Sequence, residues 1–570
     1  MKNLYTADFE TTTDEEDCRV WAYAICEIGN TDNFIYGNNI DDFISWCMNP
    51  KKNYKIWFHN LKFDGEYIIS WLLNHDFKWI QDKKDKENKT FTTLITDMGQ
   101  FFSIEIFFKT KGHHVNKVTF YDSLKILNFS VEKIAQSFDL PIQKLEIDYN
   151  AKREIGHILT NEEIAYIRND VEIMARALKI MFDKGLTKMT IASDALSDYK
   201  KTNKNFHRYF PMLEYGIDEK IRKSYKGGFT YLNPLYKEKE TGRGLVLDVN
   251  SLYPSVMFHE KLPFGNPIYF KGKYENDSLY NLYIQKISCS FKIKKNMIPI
   301  IQIKNNMSFI PNEYVESSKD EIVTLTLTNI DLDLFLKHYD VYDLTYHEGF
   351  KFKSARGLFT TYIDKWTSEK IKAKKEGNSA QYQIAKLMLN SLYGKFGLNP
   401  NAKVKMPYLD ENGIVSYKII NQGIRDTIYI PIATFITSYA RKKTIETSQK
   451  IREYTINKYQ KDYYIYSDTD SIHMLYMRDD ELKQFIEIDD FELGKWKHES
   501  DFIKGKFIRQ KCYIEQEQEQ IKVTVAGLPK KLSHKVNFTN FKPQFTTSGK
   551  LTFKHVKGGV ILVDTDFTIK

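Results

Sequence analysis

Acidic residues recur in this sequence at spacings that suit metal-assisted chemistry on phosphodiesters. Asp8 and Glu10 stand one residue apart in the stretch 5–11, where the two-residue period of a strand would turn both side chains to one face. Asp64 follows an apolar run at 56–58 and a polar cluster beginning at His59 and Asn60. Tyr166 and Asp170 lie one helical turn apart, just after the capping box Thr160-Asn161-Glu162-Glu163. Such acids would repel one another unless cations lay between them. Two magnesium-like ions are what phosphodiester hydrolysis needs, to activate water and to stabilise the leaving oxygen. A second group comprises Asp248, Asp468 and Asp470. It suits alignment of a 3'-hydroxyl with the alpha-phosphate of a nucleotide. Between the second group's members, Lys386, Asn390 and Tyr393 fall on one stripe of an apolar helical stretch, 383–394. A lysine with an aromatic one or two turns away suits a triphosphate and a nascent base pair.

The elements that must position these residues are legible around them. The stretches 5–11 and 56–58 read as strands, and Asp64 falls in the loop that follows. Ile164, Ile167, Val171, Met174, Leu178 and Met181 keep helical spacing around Tyr166 and Asp170. The run 244–249 is a buried-type strand delivering Asp248 at its end, and 463–473 reads as a hairpin carrying Asp468 and Asp470 at its tip. The stretch 407–413 reads as a strand entering a turn, hence a projecting hairpin between Pro400 and Arg425.

A length of 570 residues implies several structural units. Apolar residues at 42%, a mean hydropathy of -0.48 and the lack of any long apolar run exclude a disordered chain and a membrane protein. The opening 1–5 leads into a strand with no apolar leader, so an intracellular protein is expected. Five scattered cysteines suggest neither disulfides nor a zinc site. A net charge of +9 leaves a surplus for a polyanion.

The strings D-x-E, N-x-x-x-D and Y-x-x-x-D formed by Asp8, Glu10, Asn60, Asp64, Tyr166 and Asp170 resemble the three motifs of DEDD proofreading exonucleases. The strings D-x-x-S-L-Y-P from Asp248 and Y-x-D-T-D-S ending at Ser471 resemble motifs A and C of family B DNA polymerases. With H-N-L-K-F-D-G and L-M-L-N-S-L-Y-G-K-F, nearly the whole chain resembles the protein-primed enzymes of phi-twenty-nine-like bacteriophages. Ser467 replaces a cysteine expected from some relatives, and the segment 513–526 is shorter than expected.

The resemblance implies a mixed α/β (α+β) chain with an RNase H-like exonuclease domain at 1–189 followed by a right-hand polymerase. The palm would occupy 190–260 and 427–530, the TPR1 insertion 261–358, the fingers 359–396, the TPR2 insertion 397–426 and the thumb 531–570. Asp8, Glu10, Asp64 and Asp170 would hold one pair of Mg2+ or Mn2+ ions while Tyr166 orients water, with Lys144 as an auxiliary lysine. Asp248, Val249, Asp468 and Asp470 would hold the other pair. His59, Asn60, Phe63, Ser123 and Leu124 would bind a frayed single strand. Lys370, Lys386, Asn390 and Tyr393 would contact the nucleotide, and Tyr253 would exclude a ribose 2'-hydroxyl. Tyr225, Gly227 and Gly228, where glycines permit close approach to a strand, and Lys511 and Tyr513 would contact DNA. The implied partners are template and primer DNA, deoxyribonucleoside triphosphates and a terminal protein that TPR1 contacts. The enzyme would be monomeric, membrane-free and at work in the cytoplasm of a bacterial host. The alternative is a family B polymerase extending nucleic-acid primers only.

Overall fold

The computed structural model describes residues 3–49, 51–111, 114–149, 151–302 and 314–570. The chain is mixed α+β, and its first unit is built on an eight-stranded sheet. Strand Leu4–Thr11 lies at its centre, antiparallel to Val20–Glu27 and parallel to Tyr54–Phe58, which in turn runs parallel to His114–Asp122. Both faces of these strands are covered, so they carry near-continuous apolar runs such as Val20–Glu27. Helix Asn161–Asp183 opens with the capping box expected of Thr160 and Glu163 and packs on the first two strands. Asp64 lies in the first turn of helix Leu61–Asn74, where a loop was expected. Among the residues after it, Tyr67, Ile68, Ile69 and Leu72 are buried and carry the helix forward.

A second, five-stranded antiparallel sheet holds strand Gly244–Val249 between Trp496–Phe502 and Ser471–Leu475, followed by Tyr464–Asp468 and Thr230–Leu232. Helix Ile430–Tyr459 runs behind it, buried on most sides over its first half. Helices Thr360–Lys375 and Ser379–Ser391 pair with each other beside it. In chain order, between strand Gly244–Val249 and these helices, comes a separate four-stranded sheet spanning Leu262 to Ala355, with helix Asn329–His338 packed against it.

Strands Asn401–Leu409 and Val415–Ile424 pair as the expected hairpin, turning at Asp410 to Ile414. The short segment after Tyr513 is itself a hairpin, Cys512–Glu517 with Gln520–Val525, whose apolar side joins a small core with Phe541 and Phe567. A last hairpin pairs Thr546–Val556 with Gly559–Thr568. One continuous core runs from helix Asn161–Asp183 through Leu247 to Phe435, so the two halves share packing and are not beads on a linker.

Candidate active sites

In the first sheet, strand alternation turns Asp8 and Glu10 toward helix Asn161–Asp183, which supplies Asp170. One carboxylate oxygen from each of these three lies within 4.8 Å of the others. Asp64 joins them from its helix, its Oδ1 accepting the Phe9 N–H at 3.2 Å. Burial, and then the charge of Asp170, pushes the Asp8 carboxyl up to about 7. Burial followed by the charge of Asp8 holds Glu10 and Asp64 well above the usual carboxylate range. Asp170 is also raised by burial, against the pull of Lys144, and its Oδ1 is buried with no hydrogen-bond partner. Hard oxygen donors crowded together away from water fit divalent cations of the magnesium class.

Lys144, on an irregular segment, reaches 2.5 Å from Asp170 Oδ2 and stands 5.4 Å over the Tyr166 ring. Sequence reasoning missed Tyr149, whose hydroxyl is 2.7 Å from that of Tyr166. It lies in a stretch with no periodic pattern. Asp122 was missed too. Its Oδ1 accepts the N–H groups of Asn60 at 3.1 Å, Leu61 at 3.3 Å and Leu124 at 3.0 Å, fixing two loops against each other.

Among the five residues expected to touch a single strand, Asn60 is exposed while Phe63 and Leu124 are half-buried. His59 and Ser123 turn inward. His59 Nδ1 lies 3.0 Å from Ser123 Oγ and its Nε2 lies 2.7 Å from the Phe129 carbonyl, while Ser123 is fully buried and donates to the Phe58 carbonyl. Both thereby brace the loop that carries Asn60.

In the second sheet the pairing register sets Thr230, Asp468, Ser471, Asp248 and Lys497 in one row across five strands. Asp470 sits in the turn between Asp468 and Ser471, where its N–H donates to the Asp468 carbonyl at 2.7 Å and its carbonyl accepts the Val249 N–H at 2.8 Å. Burial, then the charge of Asp470, pushes the Asp248 carboxyl up to about 7, and burial raises Asp470. Asp468 is instead held by Lys511, whose Nζ is 3.0 Å from Oδ2 and 3.1 Å from Oδ1. The oxygen donors again fit a hard divalent cation, with a lysine lying on one of them.

The turn is strained, because Thr469 adopts φ +63, which a β-branched residue rarely does. Its N–H donates to the Phe229 carbonyl at 2.7 Å and its carbonyl accepts from Thr444 Oγ1 at 2.6 Å. A Cβ on Gly228 would lie 2.5 Å from Thr469 Oγ1. Gly228 therefore permits a close approach to this turn. Nothing lies within 4 Å of a Cβ built on Gly227, whose carbonyl accepts from Arg441 at 2.8 Å. The Tyr225 hydroxyl packs at Gly397, where a Cβ would meet it at 2.6 Å.

Tyr253 and Tyr393 stack with ring centroids 4.2 Å apart. The helix bearing Lys386 and Asn390 ends at Ser391, so Tyr393 belongs to a separate 3-10 turn, Tyr393–Lys395, and not to the same helical stripe. Lys386 and Asn390 are exposed on one face. Lys370 shares their space, since burial and then the charge of Lys386 lower its proton affinity. Two cations left to repel each other suit an anion between them. Tyr513 stacks on Phe507 at 5.3 Å, and burial pushes its phenol up to about 12.

The family profile described as DNA polymerase type B, organellar and viral, matches residues 47–487. The DNA polymerase of Bacillus phage M2 is 45% identical over the full length of both chains. That of Bacillus phage phi29 is 44% identical over all of this chain and 99% of its own, and that of Streptococcus phage Cp-1 is 35% identical over 100% and 99%. The solved phi29 DNA polymerase complexed with primer-template DNA and incoming nucleotide superposes over all of both chains with a TM-score of 0.92 at 43% identity. The same polymerase complexed with single-stranded DNA gives 0.91 at 42%, again over all of both chains. Among the described residues, no helix is long and apolar enough to cross a membrane.

Proposed function

From the premise that this chain belongs to the organellar and viral type B DNA polymerases and is a phi29-like phage DNA polymerase with a 3'-5' exonuclease, we propose how its residues divide the work. The observation that carries the division is the pair of carboxylate sites lying in different sheets of one chain. Residues 1–189 form the exonuclease domain, 190–260 and 427–530 the palm, 359–396 the fingers and 531–570 the thumb.

DNA polymerases use divalent metal ions, and here Mg2+ or Mn2+ serves, two ions per site. Bound ions would neutralise the carboxylates, lower the proton affinity of water or a 3'-hydroxyl and take up charge on the leaving oxygen. In the exonuclease Asp8, Glu10, Asp64 and Asp170 hold the ions, and Tyr166, aligned by Tyr149, orients water. Lys144 shares the negative charge at Asp170. His59, Asn60, Phe63, Ser123 and Leu124 receive the frayed 3' end.

In the palm Asp248, Asp468 and Asp470 hold the ions, with Val249 at the end of the same strand. Lys370 and Lys386 bind the triphosphate and Asn390 lines its path. The Tyr253–Tyr393 stack forms the floor beneath the sugar. Lys511, which stands beside Asp468, would contact the primer terminus. Template, primer and deoxyribonucleoside triphosphates are the partners, and a monomer suffices because both sites lie in one chain. The insertion at 261–358 is TPR1 and offers a surface for a terminal protein. The relatives' hosts support work in the cytoplasm of a bacterium.

Extension of a labelled primer on a template, with and without nucleotides and Mg2+, tests this reading. Lengthening with nucleotides and shortening without them, both abolished by chelation, is expected. Absence of Mg2+-dependent lengthening would overturn it. A pull-down of the phage's own terminal protein by the wild type, but not by a chain lacking 262–355, separates protein priming from nucleic-acid priming alone.

A further inference from the structure

A lysine lies against each group of acids. Lys144 is 2.5 Å from Asp170 in the exonuclease site, and Lys511 is 3.0 Å from Asp468 in the palm. A third lysine occupies the opposite flank of the palm site. Strand Trp496–Phe502 pairs with strand Gly244–Val249 so that Lys497 stands directly across from Asp248. The side chains of directly opposed residues share one face of a sheet, about 5 Å apart at Cβ. Lys497 thus ends the row that continues through Asp248, Ser471 and Asp468 to Thr230.

The register of this strand then breaks. His498 pairs with Leu247 and Ser500 with Val246, which leaves Glu499 as an extra residue without a partner. Such bulges re-aim a side chain. The Glu499 carboxylate receives the Lys497 ammonium at 2.6 Å. One lysine therefore faces a metal-binding aspartate and ties down a further acid beside it.

Resting on the assignment of Asp248, Asp468 and Asp470 as the polymerase acids, we propose that Lys497 is a charge-balancing residue of that site. By opposing Asp248 and engaging Glu499 it weakens ion binding to the bare acids, so that ions are retained mainly with an anionic nucleotide. Two effects act in the same direction. The ammonium repels a divalent cation, and it withholds Glu499 from the acidic group. Both are moderated by solvent, since the Lys497 side chain is 37% exposed.

The test uses the full chain carrying Asp8→Ala and Glu10→Ala, which removes the competing site, with Mn2+ as the probe and no DNA or nucleotide. Free Mn2+ is followed by electron paramagnetic resonance. Lys497→Met, which keeps the apolar stem and loses the charge, should bind Mn2+ about fivefold tighter than the parent. Lys497→Arg should bind like the parent. The gain in Mn2+ affinity on adding a deoxyribonucleoside triphosphate should shrink in Lys497→Met. Identical Mn2+ curves for the parent and Lys497→Met would overturn the inference, as would a weaker curve in the variant. A parent that bound no Mn2+ at all would instead overturn the assignment of the acids.

Discussion

Asp8 and Asp248 illustrate how burial turns ordinary acids into cation seats. Each is pushed up to about 7 by desolvation and by a neighbouring acid, so each site favours either protons or metal ions over bare charge. Because the two sites lie in different sheets, their losses should be separable. Asp8→Ala with Glu10→Ala should reduce single-strand degradation by on the order of 10^3-fold, given several kcal/mol of metal-derived stabilisation, and spare nucleotide addition. Asp470→Ala should do the reverse, as read from paired degradation and extension assays on one preparation. These acids were legible because their spacing within a strand or turn encodes their shared direction. Tyr149, Asp122 and Lys497 were not, since each acts through a neighbour that only tertiary pairing supplies. The same limit hid the bracing that His59 and Ser123 give the loop of Asn60, beside the strand contacts expected of them. Tyr253 makes a sharper test. Its ring stacks 4.2 Å from Tyr393, which would brace it beneath the sugar of a bound nucleotide. Tyr253→Val should raise ribonucleotide incorporation relative to deoxyribonucleotide by at least about tenfold. An unchanged ratio in single-turnover extension would move the gate elsewhere.

The element that sets polymerase geometry is the hairpin Tyr464–Asp468 and Ser471–Leu475, and its strained tip is braced from outside. Gly228 yields space to Thr469, Arg441 holds the Lys226 and Gly227 carbonyls at 2.9 and 2.8 Å, and Thr444 holds the turn itself. Arg441 is in turn gripped by Asp331, at 2.6 Å, from the helix of the inserted sheet. A methyl on Gly228 must push the tip, at a cost of about 1–3 kcal/mol. Gly228→Ala should therefore cut nucleotide addition at least about tenfold with exonuclease intact, and primer extension at saturating nucleotide reads the loss. Normal extension would mean the tip can relax. Local rules revealed this hairpin because apolar strands flank two acids. They did not reveal helix Ile430–Tyr459, whose buried positions include many threonines and serines, such as Thr434, Thr437, Ser438, Thr444 and Ser448. Their hydroxyls are satisfied within the helix or by its neighbours, as Thr434 and Thr437 are by Ile430 and Ala433 carbonyls. An amphipathic pattern was therefore absent.

Across the whole molecule, two projecting hairpins converge on the exonuclease helix Leu61–Asn74. The Tyr417 hydroxyl of the internal hairpin donates to Glu66 Oε2 at 2.6 Å, and His555 of the terminal hairpin places Nε2 3.2 Å from Glu66 Oε1. Tyr67 donates to the Val560 carbonyl at 2.5 Å, Lys554 meets Glu15 at 2.5 Å, and Thr96 bridges to Val404. Glu66 is 3% exposed, so Tyr417 meets it out of water, where losing a charge-assisted hydrogen bond costs about 2 kcal/mol. A strand threading between the hairpins and the exonuclease helix would be closed in by these contacts. Such closure would admit one strand, exclude its complement and slow the escape of DNA between additions. The cross-strand pair Ala402 and Gly423 lies at the hairpin's base, so residues 402–422 can be replaced by a short glycine bridge with little strain. That deletion should leave addition of one nucleotide to an open primer within about twofold, since no polymerase acid lies on the hairpin, while products on a blocked template and under a competitor trap become much shorter. Glu66→Ala should shift product lengths the same way but less far, because Tyr67 and Lys554 still hold the terminal hairpin. Trap-limited lengths equal to wild type in the deletion would refute closure. Equal lengths in Glu66→Ala alone would show that the backbone contacts at Val404 and Val560 suffice to hold the path shut.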